Sequence, residues 1–203
     1  MAVLSREEFD AIEFDAAASG DHQSAAMRMS KLAMTGIQTT SMPRSEAYLR
    51  AGEQWLLADD PATAASGFRL AMADGGPVFT DPRVPLARAL YQLGRTEEAQ
   101  ALVEKLKAEG RTDPRTCDLV AELLVERSDL SGALDWATAG VELCLARTAG
   151  PANDADPSRL RVVEPDEHGE DEAELQMLLS LRYRIRNDLG LAEDRYDKLL
   201  DGR

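Results

Sequence analysis

Apolar residues recur at helical spacing in a series of short runs, each closed by a cluster of glycine, proline, aspartate, asparagine or serine. Ser5, followed three residues later by Glu8, forms a capping-box pattern, and Phe9, Ile12 and Ala16 then mark one face of a first predicted helix. Ser19, Gly20 and Asp21 break it, and a second helix over about residues 22–34 presents Ala25, Met29 and Leu32, with Met27 and Met34 nearby. The stretch GIQTTSMP at 36–43 is the first clear connection. From Ser45 a helix runs through Tyr48, Ala51, Gly52 and Trp55 to about Ala58. Asp59, Asp60 and Pro61 end it and start a partner carrying Ala64, Phe68 and Ala71, which Gly75, Gly76 and Pro77 close.

After a short insertion at 78–80 the pattern returns. Asp81 and Pro82 open a helix with Leu86, Ala87 and Leu90, Gly94 and Arg95 form the turn, and Ala99, Val103 and Leu106 mark the partner. Asp113 and Pro114 open a third copy with Val120, Ala121 and Leu124, a turn at Ser128 and Asp129, and a partner with Ala133, Ala137 and Gly140. The separation from Ala64 to Ala99 is 35 residues and from Ala99 to Ala133 is 34. Alanine is abundant, at 31 of 203 residues, so one match means little. Agreement of the small residue, its apolar neighbours and the turn in one register identifies a repeat.

At these residues the chain resembles the tetratricopeptide repeat family, whose unit is a 34-residue antiparallel helix pair. Tyr48, Ala51 with Gly52, Trp55, Ala64, Phe68 and Ala71 follow the family pattern closely, and the two later copies replace its aromatics with smaller residues. Phe9, Ile12, Gly20, Ala25 and Met29 fall in the same register before them, as do Leu179, Tyr183, Ala192, Tyr196 and Leu199 after them. The resemblance implies an all-α, right-handed helical-repeat solenoid of four to five helix pairs in one domain, with units at about 6–36, 45–76, 80–112, 114–146 and 173–203. The ending RYRIRNDLGLAEDRYDKL also resembles the close of some actinobacterial repeat proteins, several of which carry a cysteine-rich zinc motif that this chain lacks.

Charge narrows the class of partner. A formal net charge of -14 leaves too little lysine and arginine opposite nucleic-acid phosphates, whereas protein and peptide partners remain compatible. The opening MAVLSREEFDAIEFD has no long apolar stretch, so neither a signal peptide nor a membrane span is expected. Cys117 and Cys144 stand 27 positions apart without a second pair, which fits a reducing cytoplasm better than a disulfide framework or a zinc site.

Repeat units stack because each cannot bury its apolar face alone, and their first helices then line a concave groove. The register projects Leu49, Arg50, Glu53 and Leu57 onto that groove, followed by Val84, Arg88, Tyr91 and Gln92, then Asp118, Glu122, Val125 and Glu126, and finally Met177, Leu181 and Arg184. Arg50, Glu53, Arg88, Tyr91, Gln92 and Glu122 are the expected binding residues. The register puts Leu49 and Glu53 where the chaperone-tail binders of the family carry a lysine- and asparagine-rich carboxylate clamp, which argues against that ligand.

The stretch 147–172 holds eight acidic and three basic side chains with three prolines and two glycines, and reads as a loop between the third copy and the last. Asp154, Asp156, Glu164, Asp166, Glu167 and His168 lack the tight spacing of a calcium loop, so no metal site is expected. Folding of this loop over Arg182, Arg184 or Arg186 would make the chain autoinhibited. With only His22 and His168 as histidines and no phosphate-binding glycine loop, no nucleophile and base come together. The sequence therefore points to a cytoplasmic protein- or peptide-binding adaptor without catalytic residues or cofactor. The other readings are a self-associating or autoinhibited regulatory subunit and a small metal-dependent hydrolase on a helical array.

Overall fold

The computed structural model describes residues 3–111, 113–149 and 165–200, and the secondary structure of these residues is helical apart from one bridge between Val3 and Ile37. The helices are α1 (Arg6–Ser19), α2 (His22–Thr35), α3 (Arg44–Leu57), α4 (Pro61–Asp74), α5 (Arg83–Gln92), α6 (Thr96–Glu109), α7 (Pro114–Glu126), α8 (Leu130–Ala149), α9 (Pro165–Asp188) and α10 (Asp197–Leu200). The fold is an all-α helical repeat, and the described residues fall into two compact units, Met1–Ala108 and Glu109–Arg203.

One capping chemistry recurs along the chain. Asp21, Asp60 and Asp113 each accept a hydrogen bond from the backbone N–H three residues on, at Ser24 (3.0 Å), Thr63 (3.0 Å) and Thr116 (2.9 Å). This satisfies one of the N–H groups that a helix start leaves open. Pro61 and Pro114 occupy the first helical position, where the missing N–H is no loss. Ser5 caps α1 in the same way through the Glu8 N–H at 3.2 Å.

The turns repeat as well. A residue in the left-handed region stands between the helices of every pair: Gly20, Asp59, Gly94, Ser128 and Gly190. Glycine adopts that conformation without strain, whereas Asp59 (φ 59°) and Ser128 (φ 61°) hold side chains there. The repeat thus persists in backbone geometry where residue identity has drifted.

In the first unit, packing runs in chain order from α1 to α5. Leu4, Phe9, Ile12, Ala16, Ala25, Met29, Ala33, Met42, Ala47 and Ala51 form one core cluster. The α3–α4 seam is the tightest. A Cβ on Gly52 would stand 2.6 Å from the Phe68 ring, and one on Gly67 would stand 3.4 Å from the Gly52 Cα. Phe68 is fully buried there, which contributes about 2–3 kcal/mol from apolar transfer. Ser45 donates to the Pro77 carbonyl at 2.8 Å, and Trp55 Nε1 donates to Ser30 Oγ at 3.0 Å, so the buried polar groups beside the seam are satisfied.

In the second unit, α8 packs on α7 and α9, and α9 also meets α7. Gly140 permits the close approach, since a Cβ there would lie 2.8 Å from Leu178 and 3.0 Å from Cys117. Cys117 and Cys144 are both buried free thiols. The last pair departs from the periodic pattern at both ends. Its first helix begins at Pro165, inside the stretch read as loop, and its second is the single turn α10, which leaves Ala192 and Leu199 exposed and buries Tyr196. Polar contacts replace the missing helix: buried Arg182 donates to Asp194 and Asp197 and lies over the Tyr196 ring at 4.7 Å, and Arg186 pairs with the same two aspartates. The middle of the acidic stretch, residues 150–164, lies outside the described residues.

Candidate functional site

The first unit carries a cleft lined by Arg6, Asp10 and Glu13 of α1, Glu46, Leu49, Arg50 and Glu53 of α3, and Met42, Phe79 and Thr80 from the connections. Its cavity volume is about 240 Å³, and it opens to solvent. The i, i+3, i+4 geometry of a helix explains the lining: Arg6, Asp10 and Glu13 fall on one face of α1, and Glu46, Leu49, Arg50 and Glu53 fall on one face of α3.

Arg50 is committed to α1. Its guanidinium donates to Asp10 (2.6 Å) and Glu13 (2.8 Å) and lies 5.6 Å from the Phe9 ring centre, and its side chain is only 13% exposed. One cation here serves two carboxylates. Glu46 accepts the Phe79 N–H at 2.8 Å, which fixes the 78–80 insertion beside α3 while the Phe79 ring stays 65% exposed.

Glu53 is half-buried and, among the described residues, makes no hydrogen bond or ion pair. Burial pushes its carboxyl up to about 7, with Glu13 and Glu46 adding to the rise and Arg50 and Arg88 opposing it. Loss of solvation is the larger cause of this rise, and the neighbouring carboxylates add to it. Its neighbour Gln54 points elsewhere, to His22 Nδ1 at 2.9 Å.

The other expected binding residues are distributed as follows. Arg88 and Tyr91 are half-buried on α5, and Gln92 is exposed at its end. Arg88 is near enough for Glu53 to feel its charge. Glu122 lies in the second unit, half-buried on α7. There it lines a separate cleft of about 350 Å³ with Asp118, Gln176, Met177, Ser180, Leu181 and Arg184. Burial, with Glu122 and Glu174, pushes the Asp118 carboxyl up to about 6 against Arg115 and Arg184. Of the apolar residues that the register projected onto the groove, Leu49, Val84 and Leu181 are buried; Leu49 and Leu181 floor the two clefts and Val84 lines neither.

Residues 56–123, from the end of α3 into α7, match the tetratricopeptide repeat family model. The matched segment is of tetratricopeptide-repeat type. No curated protein and no solved structure matches it significantly. Proteins built of this repeat generally serve as non-enzymatic scaffolds for other proteins, so protein interaction is the general role that the repeats support.

Three further observations bear on the competing readings. Arg182 and Arg186 are taken up by Asp194 and Asp197, and Arg182 is 4% exposed, so neither is available to an overlying acidic loop. Only Arg184 of the three lines a cleft. Burial pushes the Cys117 thiol up to about 12, which leaves it protonated and non-nucleophilic at neutral pH. Among the described residues, no helix is long and apolar enough to cross a membrane, and no group of three or more His, Cys, Asp or Glu is placed to hold a metal ion.

Asp10, Glu13 and Phe79 were absent from the residues selected by sequence. Asp10 and Glu13 sit three apart on a helix facing α3, but that pairing depends on how α1 docks. Phe79 lies in an insertion that the repeat register skips.

Proposed function

We propose that this chain is a cytoplasmic, non-enzymatic adaptor that binds a protein segment on the first unit's face formed by α1, α3 and α5. The observation that carries this reading is the cleft at Arg50 and Glu53, where charged groups, an exposed aromatic ring and room for a side chain coincide on the helices that such a repeat turns toward its ligand. Arg88, Tyr91 and Gln92 continue this face along α5, and Glu122 with Asp118 offers a second, independent contact on the other unit. The net charge of -14 favours a protein over a nucleic-acid partner in this reading.

The test is affinity capture with the intact protein and with an Arg88→Glu, Tyr91→Ala variant, combined with hydrogen exchange on the captured complex. A partner on this face slows amide exchange in α1, α3 and α5 and is released by the double change. A partner retained equally by both proteins refutes the assignment of the face.

A further inference from the structure

The first unit's cleft has an electrostatic composition that selects among protein segments. Its lining carries Arg6 and Arg50 against Asp10, Glu13, Glu46 and Glu53, two positive charges facing four negative ones. The cation nearest the carboxylates is already engaged, because Arg50 bridges Asp10 and Glu13. Glu46 is turned to a backbone N–H, and Glu53 has no bonded partner among the described residues. The open volume is bordered on one side by the Phe79 ring and floored by Leu49 and Met42, both of them buried.

We infer that this cleft receives a lysine or arginine side chain of a bound protein segment, its charged end at Glu53 and Glu46 and its methylene stem against Phe79. The inference rests on the reading that this face binds proteins, and it names the chemistry recognised. A long cationic side chain meets all three features together: carboxylates for its head, an aromatic face for cation–π contact, and an apolar floor for its stem. An acidic or purely apolar side chain would leave the anionic excess uncompensated or add to it.

A proton-linked signature follows from the same arrangement. The groups acting on Glu53 are Glu13 from α1, Glu46 and Arg50 from its own helix, and Arg88 from α5, while α2 and α4 meet α3 elsewhere, at Gln54 and Gly52. With its carboxyl near 7 in the free protein, Glu53 is largely protonated at pH 6 and largely ionised at pH 8. An incoming cation favours the ionised form, so binding releases a proton below pH 7 and tightens about tenfold between pH 6 and pH 8.

The experiment screens the full chain against an immobilised library of terminally blocked nonapeptides with randomised positions, then measures the best binder in solution. The expected result is enrichment of lysine or arginine at one position. Affinity should rise with pH as stated, and Glu53→Gln should weaken binding about tenfold and flatten the pH dependence. Glu97→Gln, on an exposed position of α6, is the control that leaves both unchanged. Because Glu53 makes no hydrogen bond or ion pair among the described residues, the glutamine variant is expected to fold, and its circular dichroism verifies this. Binders without basic enrichment, or binding indifferent to Glu53→Gln, overturn the cationic assignment and leave the binding face standing. Failure of every peptide to bind overturns the face as well.

Discussion

Removing the charge of Glu53 should make the protein more stable at neutral and alkaline pH. The carboxyl rises from 4.5 to about 7 on folding, so the folded state binds a proton more tightly than the unfolded chain. Below pH 4.5 the group is protonated in both states and carries no penalty. As pH rises through this window the unfolded chain ionises first, and stability falls until the folded carboxyl has also ionised near pH 7. At about 1.4 kcal/mol for each tenfold step, the full loss amounts to about 3 kcal/mol. Glu53→Gln removes this dependence while keeping the side-chain shape, so urea unfolding at pH 8 should show the variant more stable by up to about 3 kcal/mol, with the two proteins nearly equal at pH 4.5. A variant equally or less stable at pH 8 would show that Glu53 is compensated in the fold, and the anionic excess assigned to the cleft would fail with it.

Two other substitutions probe the repeat scaffold. Ser128→Gly relieves a left-handed residue at the α7–α8 turn and should raise stability by about 0.5–1 kcal/mol, read as an increase in the urea midpoint; a loss would show that the serine side chain supports the turn. Arg182→Met removes one of the two guanidinium partners of Asp197, which is 4% exposed and retains Arg186, and should destabilise the second unit by about 1–3 kcal/mol, with hydrogen exchange accelerated first around residues 192–200.

How much of this could be read from sequence depends on the range of the interaction. The helix starts at Ser5, Asp60–Pro61 and Asp113–Pro114 were legible because a capping side chain and a first-turn proline act within one turn. The α3–α4 pairing was legible because Gly52 and Phe68 mark a close approach that few other residues allow. The end of the last pair was not. Tyr196 fell in the expected register, yet the helix around it shrinks to one turn because Asp194 and Asp197 draw the backbone toward Arg182 and Arg186, an arrangement set by side chains up to 15 positions apart. The same limit applies at the cleft. The repeat register places Arg50 and Glu53 on the inner helix, but it cannot show that Arg50 pairs with two α1 carboxylates while Glu53 lies among the opposing charges of Glu13, Glu46, Arg50 and Arg88. A projection by period also treats every position on a face alike: Leu49 and Leu181 line the two clefts as buried floor residues, whereas Val84, set beside them, lines neither.

Phe79 belongs to the connection between α4 and α5 and is 65% exposed, tied to α3 through its N–H on Glu46. The seam and the rim of the cleft are set by different residues: Gly52 and Phe68 hold α3 against α4, whereas residues 78–80 border the open side of the cleft. A chain built this way can acquire a new preference by altering a short surface segment while the residues of the seam stay the same. For engineering, the segment is a natural place to graft alternative loops when the cleft is to be redirected to a different side chain.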